Sequence, residues 1–114
     1  MRDSELPLVL GYRDHGSTLC ACGALLLGDM DDRPDLNPWL GCLYVVPEAR
    51  GRGIARRLVR SLIDRAHNLS VLRLYLFCHP SLRAFYESEG WGVIEERTYE
   101  GKACVVMERR MRDA

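Results

Sequence analysis

Apolar residues change their spacing along the chain, and each change marks an element. Leu6 to Arg13 is apolar and extended in character, and Asp14-His15-Gly16-Ser17 supplies turn chemistry. Thr18 to Leu27 is a second strand-like run, so the two predict a hairpin. Gly28 to Pro38 is acidic and carries two prolines and an asparagine, which predicts a loop long enough to suggest function. Trp39 to Val46 is nearly continuous in apolar residues; it predicts a strand covered on both faces and stopped by Pro47. From Gly53 the spacing turns helical. Ile54, Leu58, Val59, Leu62, Ile63 and Ala66 follow the 3.6-residue period, Arg56, Arg57, Arg60, Asp64 and Arg65 fill the other face, and Asn68 ends the helix. Val71 to Cys78 is a fourth strand. Pro80 suits the first turn of a second helix with Leu82, Phe85 and Tyr86 as its apolar stripe, and Gly90 fits the position just past its end. Trp91 to Arg97 and Lys102 to Arg109 predict a hairpin around Glu100-Gly101.

The predicted order is β-β-β-α-β-α-β-β. Residues 39–78 form a βαβ unit, whose strands are expected to be parallel with a right-handed crossover. The flanking hairpins are antiparallel, so the fold class is α/β (α+β): a mixed, mostly antiparallel central sheet with helices on its faces. With 114 residues and no linker or repeat, the expectation is a single domain over 1–114.

Composition narrows the function. No apolar run approaches a membrane span, and Met1 to Glu5 shows no leader-like apolar region, so no membrane partner is expected. The formal net charge is zero, which opposes a general nucleic-acid binder. The balance hides an asymmetry: Lys102 is the only lysine, and six arginines fall between Arg50 and Arg65. Cys20, Cys22, Cys42, Cys78 and Cys104 each sit in an apolar run and show no zinc spacing. They read as reduced core thiols, which implies no metal and a cytoplasmic location.

One turn concentrates chemistry. Val46 to Ala55 joins the third strand to the first helix, whose opening amides are unpaired and carry partial positive charge. Anionic phosphates bind at such ends. Gly51 and Gly53 let the backbone curl, and Arg50, Arg52, Arg56 and Arg57 add forked donors suited to phosphate. The turn therefore predicts a diphosphate-bearing ligand. It lacks the Gly-Lys-Ser/Thr of a P-loop, and Arg56 stands where the dinucleotide fingerprint needs its third glycine.

What remains resembles the GNAT acetyltransferase signature Arg/Gln-x-x-Gly-x-Gly/Ala, here Arg50-Gly51-Arg52-Gly53-Ile54-Ala55. Leu43-Tyr44-Val45-Val46-Pro47 is similar to the family's preceding strand end, and Ala84 to Trp91 is similar to its Phe-Tyr-Glu block. The resemblance is close over about 39–92. It implies a GNAT-like fold and acetyl-CoA as co-substrate. Backbone groups of Arg50, Gly51, Arg52, Gly53, Ile54 and Ala55 would hold the pyrophosphate. Leu43, Tyr44 and Val45 would pair with pantetheine as if it were an added strand, in a gap where the two parallel strands splay. Tyr86 matches the tyrosine that protonates the departing thiolate. A small-molecule or peptide amine would attack the thioester directly, and a strand N–H near Leu43–Val45 would stabilise the oxyanion.

Two departures accompany the match. The third strand lacks the acid that often serves as base, and His79 stands where the family often has an asparagine. A water relay or His79 could take the amine's proton; His79 could equally be a helix-start residue. Tyr86 could instead be a core aromatic, and Asp31, Asp32 and Asp35 either attract a cationic amine or keep the loop soluble. The family's usual first strand and two helices are not evident, so the acceptor side is expected to be open, or completed by a preceding segment or a second subunit. Exposed sheet edges leave a homodimer open. The rival functions are a non-catalytic acyl-CoA-binding module, favoured by the acid-free strand, and a nucleic-acid binder using helix 53–66.

Overall fold

Ile54, Leu58, Val59, Leu62, Ile63 and Ala66 fall on one side of helix α1 (Ile54–Asn68), and all six are buried. The stripe lays α1 across one face of a sheet. The computed structural model describes residues 6–111, so the expectation of no apolar leader at residues 1–5 lies outside the described residues. Before α1 come β1 (Leu8–Arg13), β2 (Leu19–Leu26) and β3 (Trp39–Val45). After it come β4 (Arg73–Cys78), a short α2 (Arg83–Ser88), β5 (Gly92–Tyr99) and β6 (Lys102–Arg110). The observed order agrees with the predicted one, and the strands form one sheet ordered β1-β2-β3-β4-β6-β5. Only the β3–β4 pair is parallel.

The main core lies between α1 and the sheet. Leu25, Leu40, Leu74, Leu76, Val105 and Met107 meet the α1 stripe there, with Tyr86 and Trp91 at its end. A second core lies on the opposite face, where Met30 and Leu36 from the 28–38 loop cover Trp39, Tyr75 and Val106. That loop is held by charge as well as by apolar contact. Asp32 pairs with Arg97, and Arg33 pairs with both Asp35 (3.0 Å) and Glu95 (2.6 Å).

β3 is the irregular strand. Its register with β2 runs Cys22↔Tyr44 and then Ala24↔Gly41, so two residues, Cys42 and Leu43, oppose Gly23 alone. This is a β-bulge, which bends and twists its strand. Cys42 takes φ 55°, the left-handed region that suits glycine. Gly23 opposite it leaves room for two leucines: a Cβ there would stand 2.9 Å from Leu62 Cδ1 and 3.2 Å from Leu43 Cδ1, and both side chains would have to shift. On its other side β3 shares a single register pair with β4, Trp39↔Tyr75, where the Tyr75 N–H donates to Pro38 O at 3.0 Å. Beyond that point the strands part, and β4 spends all six of its residues pairing with β6.

Several expectations need correction. β3 is not covered on both faces, because Cys42 and Tyr44 are exposed where β4 has moved away. Cys42 is therefore not a core thiol; Cys20 and Cys104 are buried, Cys22 and Cys78 half-buried, and all five are free. The second helix is shorter than the apolar stripe suggested: Pro80–Leu82 is a single 3-10 turn, and Leu82 stays exposed.

Glycine at position 42 removes the Cβ clash of the left-handed conformation, so Cys42→Gly is expected to stabilise the fold by about 1 kcal/mol. A β-branched side chain tolerates that φ worst, so Cys42→Val is expected to destabilise by about 1–2 kcal/mol. Urea unfolding of the two variants beside the parent chain measures both; a Val variant as stable as the parent means that the bulge is not strained.

Candidate functional site

The sequence after β3 builds a turn with unsatisfied donors. Val46 N–H still reaches Cys20 O at 2.9 Å, and Pro47–Ala49 then form one 3-10 turn. Gly51 and Gly53 follow with φ 79° and 78°, and Gly53 directly precedes α1. No side chain caps the helix, and the first α1 amide to find a carbonyl is that of Arg57, which donates to Gly53 O at 3.2 Å. The amides of Ile54, Ala55 and Arg56 therefore have no partner within the helix, and they sit at its positive end.

A cleft of about 860 Å³ runs from this turn, along β3, to α2. Leu43, Tyr44 and Val45 line it from the strand, Arg50, Gly51, Gly53, Ile54 and Ala55 from the turn, and Tyr86 from α2. The structure thus brings together every predicted cofactor position except Arg52. The Arg52 side chain lies on the other side of the turn, in a cavity of about 660 Å³ that also contains Arg57 and Tyr12. Arg56, expected as a phosphate donor, lines the main cleft too, whereas Ala49, Leu82 and Phe85 line it and were not among the predicted positions. The Phe-Tyr-Glu block could have pointed to Phe85.

Most of the arginines are committed to the protein itself. Arg50 Nε donates to Val45 O at 2.9 Å, and its guanidinium lies 5.7 Å from the Tyr44 ring centre, so it pins the turn to β3. Arg57 donates to the Tyr12 hydroxyl at 2.9 Å. Arg60 and Arg56 meet the Glu89 carboxylate at 2.9 and 3.6 Å, and that side chain is only 6% exposed. Arg56 also lies 5.4 Å from the Phe85 ring centre. Glu89 and Phe85 together hold Arg56 beside the cleft.

Tyr86 is buried on α2 between Phe85 (5.0 Å) and Trp91 (6.1 Å), both in edge contact. Its hydroxyl has no hydrogen-bond partner among the described residues. Burial, and then the neighbouring Cys78, push its pKa from 10.0 up to about 12. Burial, with a smaller effect from Cys104, pushes the Cys78 thiol up to about 11. Both groups therefore hold their protons at neutral pH. His79 does not line the cleft. It is exposed, and its Nδ1 accepts the Ser81 N–H at 3.1 Å, capping the 3-10 turn. The side chain does the work of a helix-start residue. Asp32 and Asp35 are tied to Arg97 and Arg33, which removes them as free attractors of a cation.

A turn that leaves helix amides open, beside a parallel pair that splays after one register pair, matches what the sequence resemblance implied. The family model described as Acetyltransferase (GNAT) family matches residues 2–91. The chain belongs to the GNAT acetyltransferase family. Solved structures agree on the fold. An acyl-CoA N-acyltransferase from Pseudomonas aeruginosa superposes with TM-score 0.71 at 24% identity, covering 89% of this chain and 66% of its own. The ribosomal-protein-S18-alanine N-acetyltransferase from Escherichia coli gives TM-score 0.76 at 23% identity, covering 96% of this chain and 72% of its own. Escherichia coli ElaA gives 0.68 at 22%, covering 85% of this chain and 64% of its own. The GNAT chain thus spans about two thirds of the length of these proteins. No curated protein matches it. Among the described residues no helix is long and apolar enough to cross a membrane.

The raised pKa of Tyr86 gives a signed prediction. The folded state keeps the proton that the unfolded state loses near pH 10, so this contribution to stability is complete below pH 10 and is lost as pH climbs towards about 12. Difference titration of phenolate absorbance between the parent chain and Tyr86→Phe is expected to show one tyrosine ionising near the upper end of that range. A Tyr86 that ionises with an ordinary phenol's pKa would mean that it is not desolvated.

Proposed function

We propose that this chain is an N-acetyltransferase that moves an acetyl group from acetyl-CoA to a primary amine of a small molecule or peptide. The observation that supports this most is the convergence on one cleft of open helix amides and a strand edge that its parallel neighbour has left, where Arg50 takes Val45 O. The α1 amides after Gly53 are open to it, and so is the β3 edge at Leu43–Val45, which has lost β4. Buried backbone polar groups need partners. A diphosphate suits the first set, and a pantetheine amide chain, lying as a strand, suits the second. Acetyl-CoA has both, and it supplies the acetyl group as a thioester whose carbonyl carbon an amine can attack as the C–S bond breaks.

The chain's own groups then have distinct tasks. Backbone N–H groups from Arg50 to Ala55 hold the pyrophosphate, with Arg56 the side-chain cation beside them. A β3 amide near the bulge polarises the carbonyl. Tyr86, kept protonated at neutral pH by its burial, gives the Oη proton to the departing sulfur. Because His79 is occupied as a cap, proton removal from the amine falls to a water relay. The acceptor class includes a peptide amine, the kind named for the Escherichia coli S18-alanine enzyme. Residues 1–114 act as one domain, and five free cysteines suit a reducing cytoplasm.

Gly53→Asp places a carboxylate against the phosphate site. Position 53 has φ 78°, which strains any side chain but aspartate less than most, and open space around its missing Cβ, so the variant is expected to lose some stability, still fold, and lose CoA binding in calorimetry. Tyr86→Phe is expected to keep CoA affinity while lowering kcat about 10²-fold, the loss typical of a general acid. Unchanged CoA affinity in folded Gly53→Asp overturns the binding site. Tight CoA binding without turnover of any amine, in the parent chain, favours a non-catalytic acyl-CoA-binding module instead.

A further inference from the structure

One carboxylate of the 28–38 loop stands apart from the rest. Asp29 directly follows the glycine that ends the β2 exit, and its side chain folds back over β3 at Gly41. A Cβ on Gly41 would lie 2.7 Å from Asp29 Oδ2 and 3.4 Å from its Cγ, so the carboxylate occupies the place of the missing side chain. Gly41 immediately precedes Cys42, where the bulge begins. By strand alternation it shares its face with Trp39, which packs under Met30 and Leu36, whereas Leu40 faces the α1 core. The carboxylate therefore lies on the sheet face opposite α1, beside the point where β3 and β4 separate.

Its lack of a partner is what calls for a ligand. Asp29 is half-buried and has no hydrogen bond or ion pair among the described residues. The cations of the loop region are already spent: Arg33 serves Asp35 and Glu95, and Arg97 serves Asp32. Asp31 is also unpaired through its side chain, but it is exposed and needs nothing. A carboxylate that has lost part of its water gains from a counter-ion that joins it. Burial accordingly raises its pKa above the ordinary value. We propose that Asp29 receives the protonated amino group of the acceptor, entering from the face opposite α1 and selecting cationic amines. This rests on the transferase reading above, in which an acceptor amine has to reach the thioester at the splay.

The test titrates a linear triamine, spermidine, and an uncharged arylamine into the parent chain, Asp29→Asn and Asp29→Glu, each with and without CoA. Asp29→Asn keeps the shape of the side chain, and circular dichroism checks its fold. The triamine is expected to bind Asp29→Asn about tenfold or more weakly, the scale of one lost ion pair in a half-buried setting, with arylamine and CoA affinities unchanged. Asp29→Glu is expected to retain most of the triamine affinity. A triamine affinity that is the same in Asp29→Asn as in the parent, or no triamine binding by the parent in either state, overturns the proposal. Failure of the parent to bind CoA overturns the transferase reading instead, and the titrations without CoA still decide Asp29. Where amine turnover is measurable, the same substitution is expected to raise KM for the triamine while leaving KM for acetyl-CoA in place.

Discussion

The parting of β3 from β4 is the constraint on which the site depends. A strand inside a sheet satisfies its backbone on both sides. β3 does so only against β2, because its pairing with β4 ends at Trp39↔Tyr75. The bulge at Cys42–Leu43 and the missing Cβ at Gly23 make that departure compatible with a closed core, since Leu62 of α1 fills the space behind the bend. The consequence is a strand edge that β4 does not pair, opening onto a cleft in an otherwise well-packed fold, with Val45 O taken by Arg50. The same strand then feeds the turn that leaves α1 uncapped. One irregular strand thus produces both halves of a site suited to a long molecule with a diphosphate at one end and amides along its length.

The arginines show how local pattern and tertiary demand diverge. Four of them within eight residues at a helix start read as a phosphate cluster. In the fold, Arg50 ties the turn to β3, Arg57 ties α1 to β1 through Tyr12, and Arg60 ties α1 to Glu89 at the end of α2. Each of these partners lies elsewhere in the chain, at separations from 5 to 45 residues. Only Arg56 is left beside the cleft without a backbone to hold, and even it is positioned by Glu89 and Phe85. A phosphate bound at this turn, as proposed, would meet chiefly backbone amides, with Arg56 the arginine beside them. This accords with glycine at 51 and 53, where any side chain would meet an unfavourable φ.

What the sequence made legible was what short spacing encodes. The 3.6-residue stripe of α1, the hairpin glycines and prolines, and the strand-turn-helix around residue 50 are local, and all eight elements were found in the expected order. The backbone positions of the cleft were legible for the same reason, through their resemblance to a family motif. What was not legible depends on pairing across the sheet. The exposure of Cys42 and Tyr44 could not be read from an apolar run, because it follows from where β4 stops pairing. The 28–38 loop read as acidic and soluble, yet Met30 and Leu36 anchor it, and Arg97, 65 residues from Asp32, neutralises it. His79 was chosen for its chemistry and its place at a strand end. A cap on Ser81 uses the same place for a structural end, and only the direction of the side chain separates the two.

Charge is divided between the faces of the sheet in a way that bears on how two substrates would meet. On the α1 face the cleft offers partial positive charge from helix amides, Arg56, and a phenol that stays neutral well above physiological pH. On the opposite face the acidic loop pairs Asp32 and Asp35 with arginines and leaves the exposed Asp31 and the half-buried Asp29 unpaired. An anionic cofactor and a cationic acceptor, as proposed, would each be drawn to a different side of the same gap, and neither would have to displace the other. Were Asp32 and Asp35 also free, the acceptor face would hold a diffuse negative field that attracts any cation loosely. Pairing them with Arg97 and Arg33 leaves one half-buried carboxylate, seated on Gly41, to which the proposed attraction would be confined, two residues from the bulge amide proposed to polarise the thioester. Confinement of that kind favours orientation over affinity. For an attack on a carbonyl held edge-on in a narrow split, the position of the amine matters more than the strength with which it is held.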